Sequence, residues 1–102
     1  MDKPSLPPDL LAVLASIQSD SDLSKVLMDL LTPSEIEAVG ERWAIVKGLA
    51  SGQSQRAVRD AVGCSVTTVS RGNRQLRYGE GGFTLAFEAL GRLGYAVPGS
   101  AS

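Results

Sequence analysis

Five arginines and several hydroxyl side chains are concentrated in one stretch of the sequence, between Gln55 and Arg77. The arginines stand against Asp60 alone, so the stretch has a net charge of +4, whereas the rest of the chain carries five basic and ten acidic residues and a net charge of −5. A basic island in an acidic protein attracts phosphate groups. Hydroxyl side chains within it can donate to phosphates or to base edges. These are the side chains of Thr67, Thr68 and Ser70. The pattern predicts a DNA-binding surface.

Other kinds of chemistry have little support in the composition. The chain has no histidine, which removes the commonest general base and metal ligand, and no pairing of a nucleophile with a base can be assembled. The single cysteine, Cys64, is expected to be a small buried side chain in a reducing cytoplasm. Residues 1–8 do not resemble a signal peptide, and no apolar run approaches the roughly 20 residues of a membrane span. We therefore expect a cytoplasmic protein that is not an enzyme and has no metal, membrane partner or bound cofactor.

The basic stretch reads as two short helices joined by a tight turn, a helix-turn-helix over about residues 54–76. Gly63 stands where the first helix should end in a left-handed residue, and Ser65 can cap the second. Apolar residues at helical spacing give each helix a buried face. They are Val58, Ala61 and Val62 in the first helix, and Val66 and Val69 in the second. The alternatives are an ordinary helical hairpin and a helical module that binds an acidic protein through its arginines.

The remaining segments predict an all-α fold of about six helices. We expect one helical domain over residues 9–93, with a flexible arm at 1–8 and a flexible tail at 94–102. Thr32-Pro33-Ser34-Glu35 should start the longest helix, which runs to about Ser51. Apolar residues along it follow a heptad-like spacing, which suggests packing against a partner subunit. They are Ile36, Val39, Trp43, Val46 and Ala50, and Trp43 is expected to be a core anchor.

The run LLTPSEIEAVGERWAIVKGLASGQSQRAVRDAVGCSVTTVSRGNRQL resembles the Trp repressor family. The shared features are the Leu-Thr-Pro helix start, an arginine in mid-helix, the Gly-x-Ser-Gln-Arg entry and Thr-x-Ser-Arg-Gly in the second short helix. The resemblance covers about residues 30–77. It implies an intertwined homodimer that binds a near-palindromic DNA operator as a repressor, with L-tryptophan as corepressor.

The resemblance also implies the residues of a ligand site. Arg42 and Arg71 would sandwich the indole ring, because guanidinium planes stack on aromatic faces, and Arg71 would also meet the ligand carboxylate. Gly72 would let the ring approach closely. Thr32 and the backbone of Leu31, from the other subunit, would border the pocket.

For DNA, the resemblance places Arg56 at a guanine edge, a contact favoured by bidentate geometry. The other residues expected to face the groove or its phosphates are Gln55, Arg59, Ser65, Val66, Thr67, Thr68 and Ser70.

Two features depart from the tryptophan-responsive members. Gln75 stands where they have a serine near the ligand amino group, and the loop entering the first short helix is one residue shorter. Two alternatives therefore stay open, namely a regulator of this fold with a different ligand and one with no ligand.

Overall fold

The computed structural model describes residues 3–99, and within that range it contains six α-helices and no strand. The helices are α1 (Pro8–Ser16), α2 (Asp20–Leu30), α3 (Pro33–Ala50), α4 (Gln55–Val62), α5 (Val66–Tyr78) and α6 (Gly82–Arg92). The all-α prediction with six helices is confirmed. None of the helices within residues 3–99 combines the length and the apolar character that crossing a membrane requires.

The chain divides into two compact units, one ending at Glu37 and the other beginning at Ala38. The N-terminal unit contains α1, α2 and the first turn of α3. Neither α1 nor α2 contains a buried residue. Several of their large apolar side chains are about half exposed, among them Leu11, Val13, Met28 and Leu30. α1 begins at Pro8, the last residue of the predicted arm, and residues 1 and 2 lie outside the described range.

Local side-chain hydrogen bonds cap the starts of α2 and α3. Ser19 caps α2 by accepting a hydrogen bond from the Asp22 amide, at 3.2 Å. At the start of α3, the Thr32 amide donates to the Glu35 carboxylate at 2.8 Å, and the Glu35 amide donates to the Thr32 hydroxyl at 3.2 Å. This reciprocal pair is the predicted capping box. Two hydrogen bonds lower the pKa of Glu35. The larger effect comes from the hydrogen bond with the Thr32 backbone, and the smaller from the hydrogen bond with the Thr32 side chain.

The C-terminal unit has its core where α3 meets α4 and α5. Ile45, Val58 and Val69 are at most 1% exposed and form one cluster, against which Leu49, Val62 and Cys64 pack. The predicted apolar face of the short helices is thus correct for Val58 and Val69 but wrong for Ala61 and Val66, which are exposed.

An aromatic cluster joins α3 to α6 in the same unit. The Trp43 ring lies 6.4 Å from the Phe83 ring and 5.8 Å from the Phe87 ring, and the Lys47 ammonium lies 5.5 Å from the Trp43 ring. Trp43 is therefore the centre of an aromatic cluster, but it is half-buried and lies outside the buried core in which the sequence placed it.

The residues of the heptad-like seam of α3 differ in how far they are buried within the chain. Val46 is completely buried within the chain, whereas Val39 is 53% exposed.

The segment after α6, which overlaps the predicted flexible tail, begins with a backbone turn. Gly94 adopts a positive φ of 86°, and the Tyr95 amide donates to the Leu90 carbonyl at 2.9 Å. Val97 and Pro98 are half-buried. The last residues of the predicted tail, 100–102, lie outside the described range.

Candidate nucleic-acid interface and ligand cavity

The α4–α5 pair is built by two serine caps and one glycine. The Ser54 hydroxyl accepts from the Ala57 amide at 3.0 Å, and the Ser65 hydroxyl accepts from the Thr68 amide at 3.1 Å. Between the helices, Gly63 has a φ of 81°, a conformation that an L side chain disfavours. The helices therefore begin and end where the sequence predicts, except that α5 continues to Tyr78.

Most of the residues predicted to contact DNA are on the surface. Gln55, Arg56, Ser65, Val66, Thr67 and Ser70 are exposed, whereas Arg59 and Thr68 are half-buried. The Ser70 hydroxyl donates to the Gln55 side-chain oxygen at 3.2 Å, which joins the start of α4 to the middle of α5. The first turn of α4 and the exposed side of α5 thus share one polar surface.

Arg59 and Thr68 have partners within the chain. Nε and one terminal nitrogen of Arg59 donate to the same Asp60 carboxylate oxygen, at 3.0 and 2.9 Å. The Thr68 hydroxyl lies 2.9 Å from that of Ser65. Arg56 forms no ion pair within residues 3–99, so its guanidinium is the more available of the two on α4.

A cavity of about 200 Å³ lies between α3 and α5. Arg42 and Arg71, the two arginines predicted to sandwich a ligand, both line it, and neither forms an ion pair within the described residues. The remaining lining residues are Ala38, Glu41, Ile45, Thr68 and Gly72. The structure thus places an arginine of α3 and an arginine of α5 at one cavity, whose lining also includes the apolar side chains of Ala38 and Ile45.

Gly72 has a structural role beside its predicted one. It is buried, and a Cβ atom placed on it would lie 2.7 Å from Cγ2 of Ile45, closer than such atoms pack. The absence of a side chain therefore lets α5 approach α3. Because Gly72 also lines the cavity, this packing sets the position of the cavity wall.

A second cavity, of about 320 Å³, is lined by Arg42, Arg71, Gln75 and Phe83. The two arginines line both cavities, and the second cavity reaches α6 at Phe83. Gln75 is exposed there, beside the Phe83 ring.

Thr32 and Leu31, the remaining predicted ligand residues, belong to the N-terminal unit. Leu31 directly follows α2, and Thr32 is engaged in the capping box. Their predicted role depends on a second subunit and stays a prediction.

Sequence reasoning missed four residues of this region. Ala38, Glu41 and Ile45 lie on α3, and Phe83 is the second residue of α6. The charge of Glu41 next to Arg42 was a visible signal. The placement of Phe83 beside Arg42 had none, because some forty residues separate the two in the chain.

Comparison with known proteins identifies the family. The family model for the Trp repressor protein matches residues 8–91. A Trp operon repressor homolog of Photobacterium profundum is 39% identical over 71 residues, which are 69% of this chain and 66% of that protein. The match thus spans slightly less than two thirds of the relative's length.

The fold also has a solved counterpart. A crystal structure from Staphylococcus aureus, provisionally described as a Trp repressor, superposes with a TM-score of 0.73 at 22% identity, over 87% of this chain and 86% of that one. At this identity the likeness concerns the fold alone. The family model and the curated relative carry the assignment: this chain belongs to the Trp repressor family.

Proposed function

We propose that the chain is a cytoplasmic, homodimeric transcriptional repressor whose α4–α5 pair binds operator DNA as a helix-turn-helix. The observation that carries the proposal is the joined polar surface of the pair, on which Arg56 is exposed and the Gln55–Ser70 hydrogen bond aligns both helices. In such an arrangement the second helix enters the major groove, while the first crosses the backbone.

Charge supports DNA as the partner. The +4 stretch lies in a chain that is otherwise acidic, so attraction to phosphate is confined to this surface. An acidic protein could also form ion pairs with the arginines. DNA accounts better for the exposed hydroxyl groups of Thr67 and Ser70, because hydroxyl groups can form hydrogen bonds with phosphates and base edges.

The proposed dimer is supported by apolar side chains that are exposed to solvent in the single chain. Leu11, Val13, Met28 and Leu30 are 46–56% exposed in helices without a buried residue. A second copy that covers them would supply the missing core.

L-tryptophan is the proposed corepressor, bound between Arg42 and Arg71. Two guanidinium groups that line one cavity can stack on both faces of an indole and pair with its carboxylate. The ligand would favour the arrangement of the two α4–α5 pairs that fits DNA, to the extent that it binds this arrangement more tightly. Gln75 and Phe83, in the adjoining cavity, favour as second candidate a regulator with a different ligand.

The DNA proposal is tested by selecting a duplex from a random pool and titrating it by fluorescence anisotropy. We expect the affinity to fall steeply with salt, and Arg56→Ala to weaken binding to the selected sequence by about 1–3 kcal/mol. Arg92→Ala, which removes an arginine of α6 outside the basic stretch, is the matched control. An Arg56 variant with unchanged sequence preference would contradict the base contact.

The ligand proposal is tested by calorimetric titration with L-tryptophan. We expect saturable binding of one ligand per subunit, which increases operator affinity in wild type and is lost in Arg71→Ala. Loss of the ligand response with intact binding to DNA would identify Arg71 as a ligand residue. An Arg71→Ala protein that responds normally would refute the sandwich.

A further inference from the structure

Arg59 is the only arginine of the basic stretch that a carboxylate holds within residues 3–99. Its Nε and Nη2 both donate to the same oxygen of Asp60, at 3.0 and 2.9 Å. Adjacent residues of a helix do not face each other, so the Arg59 side chain has to turn towards its neighbour to form this contact. Asp60 is also the only acidic residue between Gln55 and Arg77. The contact therefore joins the single negative charge of the stretch to one of its five arginines.

The ion pair occupies donors that a DNA phosphate would need. Nε and Nη2 form one edge of the guanidinium group, and through such an edge arginine donates two parallel hydrogen bonds to a carboxylate or a phosphate. While Asp60 accepts from both nitrogens, a phosphate cannot bind at that edge. Arg56, one turn earlier on α4, is exposed and has no ion pair within the described residues. The two arginines of α4 thus differ in their availability to DNA.

The exposure of the ion pair allows DNA to compete with it. The Arg59 and Asp60 side chains are 34% and 64% exposed, and ion pairs in such surroundings contribute little to stability. A phosphate that displaced Asp60 would gain a guanidinium contact but would leave a carboxylate close to the DNA backbone. Because this exchange is close to balanced, the charge of Asp60 determines how far Arg59 contributes to binding.

We propose that Asp60 competes with DNA phosphates for Arg59, and so keeps the sequence-independent affinity of the chain for DNA below the value that its arginines would otherwise give. This inference rests on the proposed function, in which α4 approaches the DNA backbone. Phosphate contacts position a protein on the duplex without reading its sequence, so the ion pair acts on every duplex alike. Arg56 is then the α4 arginine that reads a base, and the Arg59–Asp60 ion pair limits the overall affinity.

Asp60→Asn tests the proposal, because it removes the charge and keeps the shape of the side chain. Wild type and variant are titrated by fluorescence anisotropy against the selected duplex and against an unrelated duplex, over a series of salt concentrations. The affinity of Asp60→Asn for both should rise by the same factor, roughly two- to twentyfold for a dimer with two such ion pairs. The logarithm of the affinity should fall more steeply with the logarithm of the salt concentration, by about 0.9 per subunit, since each freed Arg59 neutralises one more phosphate.

The same substitution in an Arg59→Gln background separates competition for Arg59 from simple repulsion of DNA by the Asp60 charge. Without the guanidinium group, Asp60→Asn should raise the affinity by a much smaller factor and leave the salt dependence unchanged. An equal gain in both backgrounds would overturn the proposal, because Asp60 would then act on DNA directly. Unchanged or weaker binding by Asp60→Asn alone would overturn it as well, and a weaker affinity would mean that the carboxylate orients Arg59 for DNA.

Glu88→Gln is the matched control, because it removes a negative charge from an exposed position of α6, in the same compact unit but outside the basic stretch. It should leave both affinities and their salt dependence unchanged. Thermal unfolding of Asp60→Asn should match that of wild type, because an exposed ion pair stabilises the fold little. If wild type and Asp60→Asn bind neither duplex at low salt, the proposed DNA-binding function fails together with the inference. If both bind with the same affinity and the same steep salt dependence, only the inference fails.

Discussion

The C-terminal unit and the N-terminal unit are both assembled from short helices, but only the former has a core of its own. In the C-terminal unit, Ile45, Val58 and Val69 are at most 1% exposed and join α3 to the α4–α5 pair. In the N-terminal unit, α1 and α2 have no buried residue, and Met28 and Leu30 are more than half exposed. The α4–α5 pair is therefore stabilised by contacts within the chain. Of the N-terminal helices, only α2 has a side-chain cap, and both depend, as we propose, on a second copy.

This difference suits the proposed repressor, which would have to change its operator affinity without unfolding. A pair with its own core can keep its proposed DNA-contacting surface intact while its placement in the proposed dimer changes. The ligand cavity lies beside this core, since Ile45 belongs to both. A ligand there would act on the pair as a unit, because packed cores transmit displacement rather than absorb it.

The largest effect is expected from Ile45→Ala, which removes the side chain at the centre of the C-terminal core. Truncation of a fully buried isoleucine leaves a cavity, so the free energy of unfolding should fall by about 2–5 kcal/mol. Because Ile45 packs against Val58 and Val69 of the same chain, the difference in unfolding free energy from wild type should be the same at every protein concentration. Urea unfolding at two concentrations a hundredfold apart measures it.

Gly72→Ala provides the control for that contact. Alone, it should destabilise the protein by about 1–3 kcal/mol through overpacking against Ile45. In the Ile45→Ala background the clash is absent, and the better helix propensity of alanine should make the substitution neutral or favourable. Additive effects in this double-mutant cycle would mean that the two residues are not in contact.

A smaller effect, of a different kind, is expected from Leu30→Glu at the end of α2. The side chain is 52% exposed in the single chain, so its replacement should leave the fold of the subunit intact. If a second copy covers Leu30, loss of about 1.5–3 kcal/mol of burial should raise the dimer dissociation constant by at least tenfold. Sedimentation velocity over a concentration series measures the change.

Ser24→Glu adds the same charge to an exposed polar position of α2 and should leave the dimer intact. A Leu30→Glu protein that dimerises like wild type would exclude this face from the interface. A wild-type protein that is monomeric at micromolar concentration would contradict the proposed dimer itself.

Features encoded in neighbouring residues could be predicted from the sequence. Thr32-Pro33-Ser34-Glu35 identified the start of α3, and Gly63 the end of α4, because capping and left-handed turns depend on a few adjacent residues. The two arginines of the cavity followed from the family resemblance.

Features that depend on distant contacts could not be predicted in the same way. α3 carries apolar residues on more than one side, so its spacing alone did not show that Ile45, rather than a residue of the heptad-like seam, would meet α5. The contact between Trp43 and Phe83 likewise depends on how the chain returns along α6. The sequence shows that Glu41 is charged, but only the structure shows that it lines the cavity.

The smallest effect concerns the capping box at the start of α3, where local bonds rather than a core hold the helix. Because the pKa of Glu35 is lowered from its ordinary value of 4.5, ionised Glu35 stabilises the folded state above that pH, and this contribution is lost as the pH falls through the lowered pKa. Glu35→Gln keeps a side-chain oxygen that can accept from the Thr32 amide but removes the charge. It should therefore be less stable than wild type at neutral pH, and the two thermal unfolding curves should converge in acid. Glu35→Ala, which removes the hydrogen bond as well, should remain less stable than Glu35→Gln throughout. If wild type and Glu35→Gln differ equally at every pH, the carboxylate charge does not stabilise the first turn, and the N-terminal unit must owe its helix start to the hydrogen bond alone.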